Sequence, residues 1–391
     1  MGFSLGVKFE RLDTPGFFIL AVLLSLILFG KNFSNIRLSG FIYLHDLLLG
    51  AFGSFCLIWY QPKLRLNYIN SIAFLSIVYL LFSLIFRNIT RELERISYEM
   101  ILRQFAIFYY LIFYYLIFCS MSDYSRLRLQ NWLPLCGGLA FLVELFYCLN
   151  IIVANQFSHV SEFHFYFSPA AVMGLFVFAA WVYLSSLRVI VKLTLQLITV
   201  GALFLTGHLS AVLAFAVILL FFLIIRIGGR KKYVVLSFIL LAFAIILIMP
   251  SIFDFNLLWR VNFWKKSLEN LWTNNWAILG EGFGTIYGDY FLFADTPNPR
   301  EPYLSPPHNS FITICHHIGL LPGLLLFLPY RNIFNSSNKF IAASLVALTC
   351  WSFFNVILEL PQTAAFFWVF YFSFATNGVE FGKANPNTIS R

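Results

Sequence analysis

Leu209-Ser-Ala-Val-Leu-Ala-Phe-Ala-Val-Ile-Leu-Leu-Phe-Phe-Leu-Ile-Ile225 carries one hydroxyl and no charge, and Arg226 closes it. The hydrocarbon core of a bilayer is about 30 Å thick and takes about 20 apolar residues per helical crossing. A barrel strand alternates lipid-facing and lumen-facing residues over about 10 positions; this stretch is continuously apolar, so it predicts a transmembrane helix. Seven runs of the same kind precede it, near Pro15 to Gly30, Gly40 to Tyr60, Asn70 to Phe86, Ile101 to Ser120, Trp132 to Val153, Tyr166 to Leu187 and Val189 to Thr206, and a ninth span follows near Tyr233 to Ile252. Three more follow near Asn309 to Pro329, Phe340 to Val356 and Gln362 to Ala375. The predicted fold class is all-α: a polytopic integral membrane protein with about twelve transmembrane helices and one large outer loop. It divides into residues 1–253 with helices one to nine, the loop 254–307, and residues 308–391 with helices ten to twelve.

Composition agrees. With 60% hydrophobic and 11% charged residues and a mean hydropathy of +0.81, too few polar side chains remain to cover a water-soluble surface. No small-residue cleavage site follows the first apolar run, which reads as a retained span and not a removed signal peptide. Cys56, Cys119, Cys136, Cys148, Cys315 and Cys350 lie in or beside apolar runs without Cys-x-x-Cys spacing, which points to core filling. His316 and His317 are neighbours about 100° apart on a helix, so they do not face one metal ion.

An even number of spans puts both termini on one side, and the positive-inside rule assigns them to the cytoplasm. Inner segments then hold Lys8, Arg11, Lys63, Arg65, Arg126, Arg128, Arg188, Lys192, Arg226, Arg230, Lys231, Lys232, Arg331, Lys339, Lys383 and Arg391. Outward cations run against the rule. They gather at Lys31 and Arg37, around Arg87, Arg91, Arg95 and Arg103, and in the long loop at Arg260, Lys265, Lys266 and Arg300. An anionic ligand at the membrane surface is their natural partner; the plainer reading is that long segments tolerate charge. Arg87, Arg91 and Arg95 are four apart and share a helical face, where Glu92 and Glu94 can offset part of the charge. Arg103, just inside a span, is costly unless it snorkels or serves a ligand.

Within the loop, Leu257, Val261, Trp264, Leu268 and Leu271 recur at helical spacing, with Arg260, Lys265, Lys266 and Glu269 elsewhere on the wheel. This predicts an amphipathic interfacial helix with Arg260 near its start. Gly280-Glu-Gly282-Phe-Gly284 follows, a turn that permits positive φ and close backbone approach to a ligand. Ser305-Pro306-Pro307-His308 then reads as a helix start, serine capping and proline in the first turn, which puts His308 in the first turn of the tenth span. There the helix dipole keeps an imidazole neutral and able to accept a proton, although a histidine at a helix end is more often a plain hydrogen-bonding residue.

The order Arg260-x-x-x-Trp264, Gly280-x-Gly282-x-Gly284, Pro307-His308-Asn309-Ser-Phe and Gly319 to Gly323, set between two spans of a twelve-helix protein, resembles the O-antigen ligase and polymerase superfamily of bacterial surface-polysaccharide enzymes, the Wzy/WaaL family. The match is strongest over Leu257 to Leu326. It implies a GT-C-like membrane glycosyltransferase that needs no metal or other cofactor and works at the periplasmic face of the bacterial inner membrane. Its partners would be an undecaprenyl-diphosphate-linked glycan as donor, a lipid-linked repeat unit or lipid A-core as acceptor, and membrane lipids, with no nucleic acid. The resemblance gives His308 the catalytic base and Arg260 the diphosphate, with Asn309 supporting. Arg91 and Arg103 are the further donor-binding candidates, with Arg87 and Lys266 beside them in the outward clusters. The family's arginine at the junction of helices seven and eight is missing from Leu205-Thr206-Gly207-His208-Leu209-Ser210; either His208 replaces it or the anion relies on Arg260 and the Arg87 to Arg103 cluster.

The chemistry fits this assignment, since a hydroxyl nucleophile needs a base and a diphosphate leaving group needs charge stabilisation. No Asp-x-Asp occurs to hold a divalent ion for a nucleotide-sugar donor. The expected activity is polymerisation of surface polysaccharide, with ligation to lipid A-core as the alternative. A flippase for lipid-linked sugars is the rival from another class; it fits the spans and the basic outer surface, but no two-half repeat is evident, and Glu144 and Lys192 are the main intramembrane ions.

Overall fold

The computed structural model describes residues 12–34, 36–39, 42–64, 66–90, 98–153, 169–206, 209–227, 229, 255–273, 278–284, 309–355, 357–358 and 360–380. The helices are α1 (Thr14–Ser34), α2 (Leu44–Tyr60), α3 (Asn67–Thr90), α4 (Tyr98–Ser120), α5 (Asp123–Val153), α6 (Pro169–Leu184), α7 (Val189–Leu205), α8 (Leu209–Ile227), α9 (Phe255–Thr273), α10 (Ser310–Ile318), α11 (Leu320–Leu325), α12 (Lys339–Ser352) and α13 (Pro361–Glu380). A 3-10 segment, Leu328–Asn335, precedes α12, and a small antiparallel ribbon, β1 (Arg37–Ser39) with β2 (Ile42–Tyr43), joins α1 to α2. Among the described residues four stretches, Asn67–Ile85, Ile101–Ser120, Asp123–Asn150 and Ser210–Ile227, are long and apolar enough to cross a membrane, and Thr14–Gly30, Leu44–Tyr60, Pro169–Leu184, Val189–Leu205 and Lys339–Ser352 are shorter apolar helices. This is the helix set of a multi-pass membrane protein.

Two helices that are apolar all round form the middle, as such helices must. In α6, Ala170 to Ala180 and Val182 are all buried, and α13 is buried from Ala364 to Ala375. Helix α6 touches α1, α5, α7, α8, α12 and α13. Its approach to α5 is set by small residues: a Cβ on Gly174 would stand 2.2 Å from Ala140 Cβ, and one on Gly137 2.8 Å from Phe178 N. Peripheral faces are apolar too. Trp59, Ile190 and Leu197 are more than 70% exposed, as side chains that face lipid are.

Polar ties fix which ends lie together. The Asp13 carboxylate accepts from Ser122 N at 2.8 Å, Ser122 Oγ at 2.9 Å, Ser125 Oγ at 2.7 Å and Gly16 N at 2.9 Å, joining the start of α1 to the α4–α5 turn. Asn338, the N-cap of α12, donates from Nδ2 to Gln130 Oε1 on α5 at 2.9 Å. At the opposite end of the bundle lie the first residues of α8 and α10 and the chain leaving α12, joined through Ser210, Ser310 and Asn355.

The region predicted as one span from Asn309 to Pro329 is not one helix. It breaks at Gly319 (φ 90°, ψ 163°) into α10 and α11 and continues as the 3-10 segment. Hydropathy does not register this break because the apolar residues on both sides, Ile312 and Ile314 before it and Leu320, Leu321 and Leu324 after it, keep the averaged run apolar despite His316 and His317. Helix α10 opens at Ser310 with Asn309 as its N-cap, whose Oδ1 accepts from Phe311 N and Ile312 N; the expected cap at Ser305 lies outside the described residues. The fifth helix begins at Asp123, well before the expected Trp132. The expected ninth span, Tyr233 to Ile252, lies outside the described residues.

Candidate functional site

The amphipathic segment of the loop is a helix, α9, with its buried face turned from the expected one. Phe263, Trp264, Ser267 and Leu271 are buried, whereas Leu268 and Trp272 are exposed. The turn arises because α9 packs on α10 and does not only lie on an interface. Arg260 begins that inner face and is half-buried. Its Nη1 donates to Phe354 O at 2.5 Å, and Trp264, one turn further, sits 5.7 Å ring to ring from Phe354. The carbonyl belongs to the turn that ends α12, where the negative end of the helix dipole favours a cation.

The same turn holds the beginning of α10. Ser310 Oγ donates to Asn355 O at 3.2 Å and accepts from Leu358 N at 3.1 Å. The Asn355 side-chain amide lies 3.0 Å from Ser210 Oγ in α8, which also accepts from Trp351 Nε1 at 3.1 Å. Arg260, Ser310 and Ser210 therefore converge on the chain leaving α12. His308 and His208, their expected companions, lie outside the described residues, as does Arg91.

A second focus forms at the other end of α10. Gly280, Gly282 and Gly284 have φ of 75°, 79° and 78°, the left-handed region glycine alone enters cheaply. The turn they shape is driven in among α3, α4 and α10. Glu281 N donates to His316 O at 2.7 Å, Gly282 N to His317 O at 3.1 Å, Phe283 N to Ser83 Oγ at 2.9 Å, and Gly284 N to Gln104 Oε1. Tyr79 OH donates to Leu279 O, and His317 Nδ1 lies 2.7 Å from Gly282 O. The Phe283 ring is fully buried against Phe105, Phe108 and His317. The four N–H groups from Glu281 to Gly284 are donated to the protein, so the close backbone approach seen here is to the helices themselves.

Side chains around this turn were missed in the sequence. His316 Nε2 lies 3.7 Å from Glu281 Oε2, and burial pushes the Glu281 carboxyl above its usual range. The two imidazoles diverge, with planes 76° apart, and each meets the glycine turn. Glu281 was visible only as the variable residue of a Gly-x-Gly pattern, and nothing local to Ser83 or Gln104 announces a partner in a distant loop. Arg103 is exposed on α4 immediately before Gln104, and the backbone of Arg87 belongs to the last turn of α3. Lys266 is half-exposed on α9, away from Arg260, and its neighbour Lys265 pairs loosely with Glu269 at 3.9 Å.

Comparison with known proteins found no matching family model, no matching curated protein and no matching solved structure. Chemical meaning therefore rests on the geometry. Helix α10 joins a cationic end, with Arg260 and a capped helix start, to a carboxylate–imidazole end, with Glu281 and His316. Ser310 and His316 are roughly 9 Å apart along the axis at 1.5 Å per residue. An anion suits the first end and a hydrogen-bond donor the second.

Proposed function

We propose that this chain is a metal-independent membrane glycosyltransferase of the O-antigen polymerase and ligase kind. It joins an undecaprenyl-diphosphate-linked glycan to a glycan acceptor at the periplasmic face of the bacterial inner membrane, and polymerisation is its activity. The observation that carries this reading is that the turn leaving α12 binds both the Arg260 guanidinium and Ser310, two residues after His308 in the chain. A phosphate-binding cation and the proposed base thus belong to segments fastened to one turn.

In the reaction His308 takes the proton of the acceptor hydroxyl, whose oxygen attacks the anomeric carbon of the donor. The bond from that carbon to the diphosphate oxygen breaks, the electron pair leaves with the diphosphate, and Arg260 offsets the growing charge. Lys266, Arg87, Arg91, Arg103 and His208 are the further candidates for holding the diphosphate. The test is the surface-glycan ladder of a deletion strain carrying His308→Ala or Arg260→Ala. Loss of long-chain product at unchanged protein level supports the reading, and an undiminished ladder sinks it. In the deletion strain itself, one repeat on the core indicates a polymerase and bare core a ligase.

One observation favours the transporter instead. Glu144 is buried within α5, and neither carboxylate oxygen has a hydrogen-bond partner among the described residues, a state common where ions or protons cross membranes. Purified protein that forms no glycosidic bond in detergent, yet moves lipid-linked sugar across vesicles, would decide for it.

A further inference from the structure

One face of α5 is a buried seam of Leu133, Gly137, Ala140, Glu144 and Cys148, spaced three or four apart, in which Glu144 is the one ionic side chain. The seam runs antiparallel to α6: a Cβ on Gly137 would meet Phe178 N, and one on Gly174 would meet Ala140. One turn further along, Glu144 comes opposite Ala170 and Ala171 in the first turn of α6, both fully buried. Glu144 is itself fully buried, and neither of its carboxylate oxygens has a hydrogen-bond partner among the described residues. An apolar side chain of similar volume would fill the seam without that cost, so packing does not account for the carboxyl.

The surroundings narrow what it binds. A metal ion needs several ligating atoms, whereas the neighbouring positions are Ala140, Phe141, Cys148, Ala170, Ala171 and Gly174, and no metal-holding cluster occurs among the described residues. A proton needs one oxygen and no added space. Among the described side chains no charged one faces Glu144. On α6 the titratable group is Tyr183, at the far end against Phe222; on α7 Arg188 is exposed and Lys192 donates to Tyr183 O at that same end. On α1 Asp13 is tied to Ser122 and Ser125 at the start of α5, and the side chain of Lys31 lies outside the described residues. On α5 itself Cys148 follows one turn on, and Tyr147 is exposed.

We infer that Glu144 is a proton-binding site inside the bundle, taking up and releasing one hydrogen ion beside the start of α6. On release the O–H bond breaks, its electron pair stays on the carboxylate, and the proton passes to water. Exposed Asn150 ends the apolar run about 9 Å further along α5 and marks where water comes from. The anion that remains is opposite a helix start, whose first N–H groups lack partners within the helix and whose dipole favours negative charge. Proton binding here does not depend on the glycosyltransferase reading, because a transferase and a transporter could each carry such a site.

The experiment takes infrared difference spectra of the purified full chain in detergent, stepped from acidic to alkaline pH. A protonated-carboxyl band should vanish as pH rises, return on acidification, and be missing from Glu144→Gln. That variant should unfold at no lower temperature than the wild type, since a neutral amide leaves no ionisable group in the seam. A band assigned to Glu144 that stays constant across the range overturns the inference, as does the lack of any band that the variant removes. If Glu144→Gln does not fold, dicyclohexylcarbodiimide on the wild type decides instead, because it adds to protonated carboxyls in apolar surroundings. Peptide mass spectrometry should then find the adduct on Glu144, forming about tenfold more slowly per pH unit once the proton is lost. No adduct there, or a rate that ignores pH, overturns the inference. Wild-type protein that transfers no glycan would sink the glycosyltransferase reading and leave these readouts untouched.

Discussion

Gly280 and Gly319 cross in backbone contact: a Cβ on Gly280 would stand 2.5 Å from Gly319 N, and one on Gly319 would stand 1.9 Å from Ile278 O. Both have positive φ, so an alanine at either site meets strain and collision together. Gly319→Ala should destabilise the protein by about 2 kcal/mol or more, since neither obstacle is a flexible side-chain end. Gly138 is the control, because a Cβ there meets nothing within 4 Å on a regular part of α5. Gly138→Ala should be neutral or stabilising by up to about 1 kcal/mol. Thermal unfolding of the two variants in detergent checks the contrast, and equal midpoints would mean that the crossing does not hold the loop.

Phe283 is the apolar anchor of the same turn. Truncation to alanine removes a fully buried ring from between Phe105, Phe108 and His317, a change that costs about 3 to 5 kcal/mol when the site does not collapse. The loss should appear first as local release, so protease cleavage near 278–284 should rise more steeply than global unfolding. Ser83→Ala, which removes only the acceptor for Phe283 N, should act in the same direction by about 1 kcal/mol. Cleavage as slow in Phe283→Ala as in the wild type would contradict the anchoring role.

The difference between what was legible and what was not follows from range. Lipid imposes its demand on each segment separately, so α3, α4 and α8 could be read from their own apolar runs. The helical spacing of Trp264 and Leu271 likewise announced α9, but not the rotation that buries Ser267, because that depends on α10. Distant pairings left no local trace: Asn338 with Gln130, and Ser83 with Phe283, each join residues about 200 apart. The break at Gly319 was hidden because apolar residues on both sides of it carry the averaged hydropathy across the histidines. Arg260 stood out because a cation near an amphipathic helix start is conspicuous, whereas its acceptor, the Phe354 carbonyl, is a backbone atom that no side-chain pattern marks.

Arg260→Lys tests the guanidinium rather than the charge. A lysine keeps the cation yet loses the planar guanidinium fork, one of whose nitrogens donates to Phe354 O. On the proposed function, product formation should fall tenfold or more, on the order of 1.4 kcal/mol or above, at unchanged unfolding temperature. Radiolabelled glycan transfer by purified protein measures it. Full activity in the lysine variant would show that charge alone suffices.

Glu281 makes docking of the turn depend on pH, and the sign follows from its burial. The carboxyl is pushed above the ordinary glutamate value of 4.5, so the docked turn keeps its proton at pH values where a released turn has lost it. The released chain then binds fewer protons, and docking weakens as pH rises from the ordinary value through the raised one; below both it is at full strength. His316, at 3.7 Å, is the titratable group opposite the carboxylate and contributes its own dependence. The difference between wild type and Glu281→Gln isolates the carboxyl. Protease cleavage near 278–284 should accelerate with rising pH in the wild type and less so in the glutamine variant. Parallel profiles would leave Glu281 without influence on docking and assign any pH effect to other groups.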